Sequence, residues 1–147
     1  METSQDLISA VECWELLARV SVGRIALSVR ALPMIVPAQY YLDGRMLAIC
    51  LGHRELPERS LNAVVAFAAD AIDPVTRSGW SVHVLGRSVM SRQFRMDTAC
   101  GRPTAGQIVH IEPETIFGYR VHLCPFIDSF LAGPDGGGIR RPITPRC

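Results

Sequence analysis

The residues that most constrain the fold are 79–90, with the sequence GWSVHVLGRSVM. β-Branched and aromatic residues recur there with a period near two, which is typical of a strand. One face is mostly apolar and is predicted to lie against a core; it comprises Trp80, Val82, Val84, Gly86, Ser88 and Met90. The opposite face is mixed and comprises Ser81, His83, Leu85, Arg87 and Val89. This division favours an antiparallel sheet or small barrel, and we expect a ligand on the half-polar face.

Similar patterns predict the other elements. Ser9 and Glu12 have the spacing of a capping box, so a helix is expected over residues 9–19. Strands are expected over residues 21–33, 33–42, 45–52, 63–73 and 107–123, with Asp43-Gly44 as a hairpin turn. Residues 91–107 are expected to form a loop. The predicted class is mainly β, a small antiparallel barrel with an N-terminal helix and a short crossover helix.

Prolines and glycines predict where these elements are interrupted. Pro37 cannot donate to a strand ladder, so it predicts a sheet edge or a bulge where the backbone can face a ligand. Pro57 is tolerated only in a first helical turn, so the crossover helix is expected to begin near Leu56. Residues 107–123 are expected to form a final strand pair or one long bent strand, broken around Pro113, with Gly118 as a possible bulge.

The length of 147 residues predicts one domain, over residues 1–131. Residues 132–147, AGPDGGGIRRPITPRC, are rich in glycine and proline and are predicted to form a flexible C-terminal tail.

Composition excludes several functions. All 15 basic residues are arginine, so a lysine Schiff base and a P-loop lysine are both excluded. The net charge of +1 and the aromatic content of 7% give no support to a nucleic-acid partner. No apolar run is long enough for a membrane helix, and the N-terminus does not resemble a signal peptide, so a cytoplasmic location is expected.

The five cysteines are widely spaced, which suits reduced thiols in a cytosolic protein. The four histidines lack metal-ligand spacing, so no metal site is expected.

Two groups of residues could hold a ligand. Arg54, Arg59 and Ser60 lie close together where the third strand meets the short helix, and arginines beside a helix N-terminus favour an anion such as phosphate. A solvated turn is the alternative. Polar and aromatic residues that could flank a flat ligand are Gln39, Tyr40, Tyr41, Trp80 and Ser81. Arg24 could bind a ligand, but pairing with a carboxylate such as Asp70 is the simpler expectation.

Four segments together resemble the pyridoxamine 5′-phosphate oxidase-like family: CWELLARVSVGRIAL, PMIVPAQYYLDGRMLAICLG, AVVAFAADAID and GWSVHVLGRSV. The resemblance covers residues 9–120, and the Gly-Arg of the first strand and the Gly-Trp-Ser-Val stretch are its most specific parts. It implies a split barrel that binds FMN, with the deazaflavin F420 or haem as the cofactor in related branches. It also implies a homodimer with two cofactor sites between the subunits.

The family holds its cofactor with the second and third strands and the junction after them. The matching positions here are Pro37, Ala38, Gln39, Tyr40, Ile49, Cys50, His53 and Arg54. Arg54 stands where the family often has lysine, and arginine keeps the charge while adding a bidentate fork. Gln39 stands where many relatives have asparagine, and Leu85 where they commonly have a polar residue.

The resemblance implies a flavin-dependent oxidoreductase that works with a small-molecule electron donor or acceptor. It does not extend to the substrate site of the oxidase after which the family is named. Two alternatives remain open. One is a binding protein without turnover for a flavin, haem or similar planar ligand. The other is a barrel that has lost its cofactor.

Overall fold

The computed structural model describes residues 6–52, 55–96 and 103–123. The helices and strands, in chain order, are β1 (Leu7–Ile8), α1 (Ala10–Leu17), β2 (Val22–Val29), β3 (Leu32–Asp43), β4 (Met46–Cys50), α2 (Glu58–Leu61), β5 (Val64–Asp73), β6 (Ser78–Met96) and β7 (Pro103–His122). His53, Arg54 and the predicted tail at 132–147 lie outside the described residues, as does the predicted boundary at 131.

The strands form one antiparallel sheet that closes into a barrel. Its order is β1-β7-β4-β3-β2-β5-β6, and β7 also pairs with β6. The long strand β7 therefore contacts β4 along one edge and β6 along the other. Helix α2 lies in the crossover from β4 to β5. The predicted class, a mainly β antiparallel barrel with an N-terminal helix and a short crossover helix, is confirmed.

Helix α1 packs on the barrel through Cys13, Leu16 and Leu17, which are buried. The Ser9 hydroxyl accepts a hydrogen bond from the Glu12 N–H at 3.2 Å, as the capping box predicts. The Glu12 carboxylate does not turn back to Ser9. It accepts a hydrogen bond from the Arg120 guanidinium on β7, so the cap residue ties the helix to the barrel.

The predicted core face of residues 79–90 is confirmed. Val82, Val84 and Ser88 are buried inside the barrel, and Trp80 and Met90 pack at its margin. The ladder to β7 shifts register between Leu85 and Gly86.

Two expectations about the last two strands are wrong, and the one about Pro113 is confirmed in part. Residues 91–107 are not a loop throughout, because β6 runs to Met96 and β7 begins at Pro103. Residues 107–122 lie in one long strand, β7, and the expected interruption near Pro113 is a register shift: Pro113 pairs with Gly86 and Thr115 with Leu85, so the ladder skips Glu114. Gly118 is not a bulge but pairs regularly with Val82. A Cβ at Gly118 would lie 2.8 Å from Cys13 Sγ, so this glycine lets helix α1 approach the sheet.

Candidate functional site

The barrel wall divides the candidate residues of β3 and β4 between two faces. Ala38, Tyr40 and Ile49 are buried and turn their side chains into the barrel. The Tyr40 hydroxyl donates to the Leu17 carbonyl at 2.6 Å, and its ring meets Phe67 edge-on. Burial raises the pKa of Tyr40 to about 12. These three side chains pack in the core, so a ligand on the outer face of this wall would meet their backbone atoms rather than their side chains.

Pro37, Gln39 and Cys50 form an outward-facing corner at the end of β4. Pro37 and Gln39 are exposed, Cys50 is half-buried, and Gln39 lies opposite Cys50 in the ladder. Pairing of β3 with β4 stops at this pair, whereas β3 continues along β2, so β3 is locally an edge at Pro37. The Tyr40 N–H donates towards β2, to the Ser21 carbonyl. Backbone N–H groups alternate in direction along a strand, so an N–H at position 37 would point to the β4 side, and Pro37 has none. The expected edge is confirmed.

The chain beyond this corner, residues 51–57, is called the β4–α2 connection below. It carries His53 and Arg54, which are outside the described residues. Arg59 follows on α2 and is exposed, while Ser60 is buried. Helix α2 begins at Glu58 rather than near Leu56, because Pro57 takes the N-cap position with an extended backbone. Helix α2 is a single turn that begins with the Glu58 carboxylate, so its N-terminus adds little attraction for an anion. The attraction for a phosphate must therefore come from arginine.

Trp80 and Ser81 are distant from this corner within one chain. Following the sheet from β3 to β6 crosses β2 and β5, so three strand spacings separate them, or about 14 Å. Trp80 is half-buried and turned inward, whereas Ser81 lies on the opposite face of β6 and is buried there, at 7% exposed. The structure therefore brings together Pro37, Gln39 and Cys50, and it places Trp80 and Ser81 in a second group.

Ser81 belongs to an aromatic cluster on the outer face. Its hydroxyl lies 2.9 Å from His83 Nε2. The His83 ring is stacked with Phe117, with centroids 5.1 Å apart, and with Tyr119 at 5.4 Å. Asp70 pairs with Ser81 in the ladder and forms an ion pair with Arg24 at 3.6 Å, which confirms the expected Arg24 pairing.

We predict that the fold loses stability when His83 is protonated. Burial lowers the pKa of His83, and the nearby Asp70 carboxylate opposes this shift. The unfolded chain therefore binds the proton more readily, and stability falls as the pH drops below the ordinary histidine pKa of about 6.5. Urea unfolding at pH 7.5 and pH 5.5 tests this with His83→Phe, which keeps a stacked ring but cannot titrate. The advantage of the wild type over this variant should shrink at pH 5.5; an advantage independent of pH would contradict the assignment.

Sequence reasoning missed two features of this region. The stacking of His83 depends on Phe117 and Tyr119, which are more than thirty positions away, and only the β6–β7 register places them alongside. Gln107 was also missed: it is 3% exposed, and its side-chain amide forms two hydrogen bonds to the backbone of Leu56. A glutamine between apolar residues gives no signal of such a partner.

Comparison with known proteins gives a consistent result. The sequence profile of the family described as pyridoxamine 5′-phosphate oxidase matches residues 9–97. An uncharacterized protein of Mycobacterium tuberculosis is 31% identical over 125 residues, which covers 75% of this chain and 81% of that protein.

Solved structures share the fold. A FAD-binding protein from Mycobacterium smegmatis is 28% identical, with a TM-score of 0.61 over 80% of this chain and 98% of that one. A FAD-binding protein from Mesorhizobium loti is 19% identical, with a TM-score of 0.60 over 78% of this chain and 94% of that one. At that identity the second likeness concerns the fold alone.

Proposed function

Because the chain belongs to the pyridoxamine 5′-phosphate oxidase family, we propose that it binds a flavin, FMN in the first place, and uses it as an oxidoreductase. The observation that carries the proposal is the outward corner of Pro37, Gln39 and Cys50 beside the β4–α2 connection. The FAD bound by the M. smegmatis protein supports a flavin in general. FAD and F420 are therefore tested beside FMN.

The residues present suit a flavin. Gln39 is exposed, and its amide offers both a donor and an acceptor, as the edge of the flavin ring requires. The edge at Pro37 leaves room for a ligand where β4 ends. A bound flavin would supply the hydride or electron transfer, while the chain binds it, orients it and excludes water. Trp80, half-buried on β6, is proposed to cover part of the ring, and Ser81 to lie beside it.

The phosphate is proposed to lie on the β4–α2 connection, held by Arg54 with Arg59 nearby. We predict that Arg54→Ala weakens FMN binding by about 1–3 kcal/mol, the scale of a lost charge-assisted contact. Arg45→Ala is the matched control, since Arg45 is exposed at the other end of β4. Titration followed by flavin fluorescence gives both affinities. An unchanged affinity for Arg54→Ala would assign the phosphate elsewhere, with Arg59 or Arg87 next to be tested.

A homodimer is proposed to complete the site. The corner on β3 and β4 and the Trp80 group on β6 are far apart in one chain, so a second copy is needed to bring them onto one ligand. The outer face offers a surface for it: a row of small and apolar side chains crosses four strands, from Ile35 through Ala26 and Ala66 to Leu85. Ile35 is 68% exposed and Leu85 39%, as expected of a face that a partner covers.

A binding protein without turnover is the second candidate. The observation that favours it is that ionisable groups near Ser81 are already engaged with one another, Arg24 with Asp70 and His83 with Ser81. Haem is the less favoured ligand of this candidate. Anaerobic mixing of the flavin-loaded protein with NADPH, NADH or reduced F420 separates the candidates. Bleaching of the flavin band by one donor supports the oxidoreductase, and a band stable to all three supports the carrier.

A cytoplasmic location remains part of the proposal. Cys13 and Cys50 are free thiols, which is usual in a reducing compartment. None of the helices in the described parts of the chain is long and apolar enough to cross a membrane.

A further inference from the structure

We propose that Gln107 is a positioning residue that holds both ends of the β4–α2 connection and so pre-orients it for the phosphate of the flavin. This inference rests on the proposed function, because it concerns the same site. It adds a residue of β7 to a site whose other proposed residues lie on β3, β4, β6, α2 and the β4–α2 connection.

Three hydrogen bonds converge on this one residue. The Gln107 carbonyl accepts from the Leu51 N–H at 3.2 Å, at the start of the connection. The Gln107 side chain then grips Leu56 near the other end: its Oε1 accepts from the Leu56 N–H at 2.8 Å, and its Nε2 donates to the Leu56 carbonyl at 2.8 Å. The side-chain amide thus satisfies both backbone polar groups of Leu56, as a neighbouring strand would. Leu51 and Leu56, near the two ends of the connection, are therefore bound to the same residue of β7.

Burial makes this arrangement costly to lose. Gln107 is 3% exposed, and Leu51 and Leu56 are also buried. A buried backbone group that loses its partner is far from water, so removing the amide leaves both polar groups of Leu56 unsatisfied. Between the fixed ends, Gly52 has a φ of +66°, a conformation that suits glycine. Gln107 therefore fixes Leu51 and Leu56, the described residues on either side of positions 53 and 54.

The place of this clamp connects it with the candidate site. Cys50, the residue before Leu51, pairs with Gln39 on one side and with Ile108 on the other. The clamp therefore lies next to the corner where β3 becomes an edge at Pro37. Fixing a binding segment before the ligand arrives lowers the entropy cost of binding.

Loss of the Gln107 hydrogen bonds should affect some ligands and not others. The residues proposed for the flavin ring, Gln39, Trp80 and Ser81, stand on strands and do not depend on the connection. Loss of the clamp should therefore weaken ligands that carry the phosphate and spare those that lack it. FMN and riboflavin share the ring and differ in that phosphate, so the ratio of their affinities isolates the effect.

The main variant is Gln107→Met, which is similar in size but has no amide. We expect it to bind FMN about tenfold more weakly, as for the loss of a buried hydrogen bond, and riboflavin within about twofold of the wild type. Ser88→Ala is the matched control, because the Ser88 hydroxyl donates to the Leu61 and Ala63 carbonyls at 2.8 Å, at the end of α2 that is far from the connection. It removes a buried polar group but should leave the ratio unchanged.

Gln107→Glu gives a second test that does not depend on the first variant folding well. Burial favours the protonated carboxyl, which can donate through one oxygen and accept through the other as the amide does. The ratio of the affinity for FMN to the affinity for riboflavin, normalised to the wild-type ratio at the same pH, should be reduced at pH 7.5 and recover at pH 5.5. Hydrogen exchange without ligand supplies an independent readout: the Leu56 amide should exchange faster in Gln107→Met, while the Val82 amide in the core does not.

The outcomes separate the two proposals. A wild type that binds neither FMN nor riboflavin overturns the proposed function and this inference together. A wild type that binds FMN, with an unchanged ratio in the folded Gln107 variants, overturns the role of Gln107 alone. A reduced ratio with faster exchange at Leu56 supports it.

Discussion

Replacing Gly79 with alanine is expected to lower the free energy of unfolding by about 4 kcal/mol or more. A Cβ at this position would lie 1.9 Å from the Ala71 carbonyl oxygen and 2.8 Å from the Ile72 Cα. Both are backbone atoms of β5, so they cannot move aside without breaking the ladder between β5 and β6. Overpacking against fixed backbone atoms lies at the upper end of the cost of single substitutions, and it removes a large part of the roughly 5–15 kcal/mol by which a typical domain is stable. Urea unfolding followed by circular dichroism measures it.

Gly106→Ala is the matched control for this substitution. A Cβ there would lie 3.5 Å from the Gly52 carbonyl oxygen, an ordinary contact, so the variant should unfold within about 1 kcal/mol of the wild type. A Gly79→Ala protein as stable as Gly106→Ala would contradict the close approach of β5 and β6.

If the proposed homodimer forms through the outer face, replacing Ala66 with arginine should convert it into a monomer that no longer retains the proposed flavin. Ala66 lies between Ala26 and Leu85 in the row across the outer face. The long side chain would project outward, so the barrel itself should fold, but the proposed interface would have to bury an unpaired charge from each subunit. An uncompensated buried charge costs about 3 kcal/mol or more, over a hundredfold in association. Light scattering coupled to gel filtration gives the mass, and absorbance gives the flavin content.

Val75→Arg controls for the added charge. Val75 is 87% exposed in the turn between β5 and β6, away from that row. It should leave both mass and flavin content unchanged. A dimeric, flavin-loaded Ala66→Arg protein would exclude this face as the interface.

The sequence predicted those parts of the fold that depend on local patterns. Alternation along residues 79–90 identified the core face of β6, and the Ser9 cap located the start of α1, because each depends on neighbouring residues. The extension of β6 to Met96 was missed, since residues 91–96 (SRQFRM) are mostly polar and form a strand only because β7 pairs with them. Tertiary pairing outweighs propensity in such a segment.

Close packing explains the glycines in the two most specific motifs. A Cβ at Gly23, in the Gly-Arg motif, would lie 2.2 Å from Phe67 Cζ, and Gly79 in the Gly-Trp-Ser-Val motif is equally confined. These glycines are required by the barrel, so they identify the fold more firmly than the cofactor. This explains why the sequence predicted the family well, whereas the cofactor residues remain a proposal.

The site was predictable only in part for the same reason. The corner at Pro37 followed from a local rule, that proline cannot donate to a ladder. The Gln107 clamp joins residues 51 positions apart, and the stacked ring of His83 depends on the register of β7. Neither can be read from spacing.

The most direct test of the account is the visible spectrum of the purified protein after separate incubation with FMN, FAD, F420 and haem, each followed by gel filtration with light scattering. We expect a flavin spectrum, strongest with FMN, that elutes with a peak of twice the mass of the 16.1 kDa chain at about one flavin per subunit. A colourless peak in all four samples, or retention of haem alone, would contradict the proposal that this barrel binds a flavin.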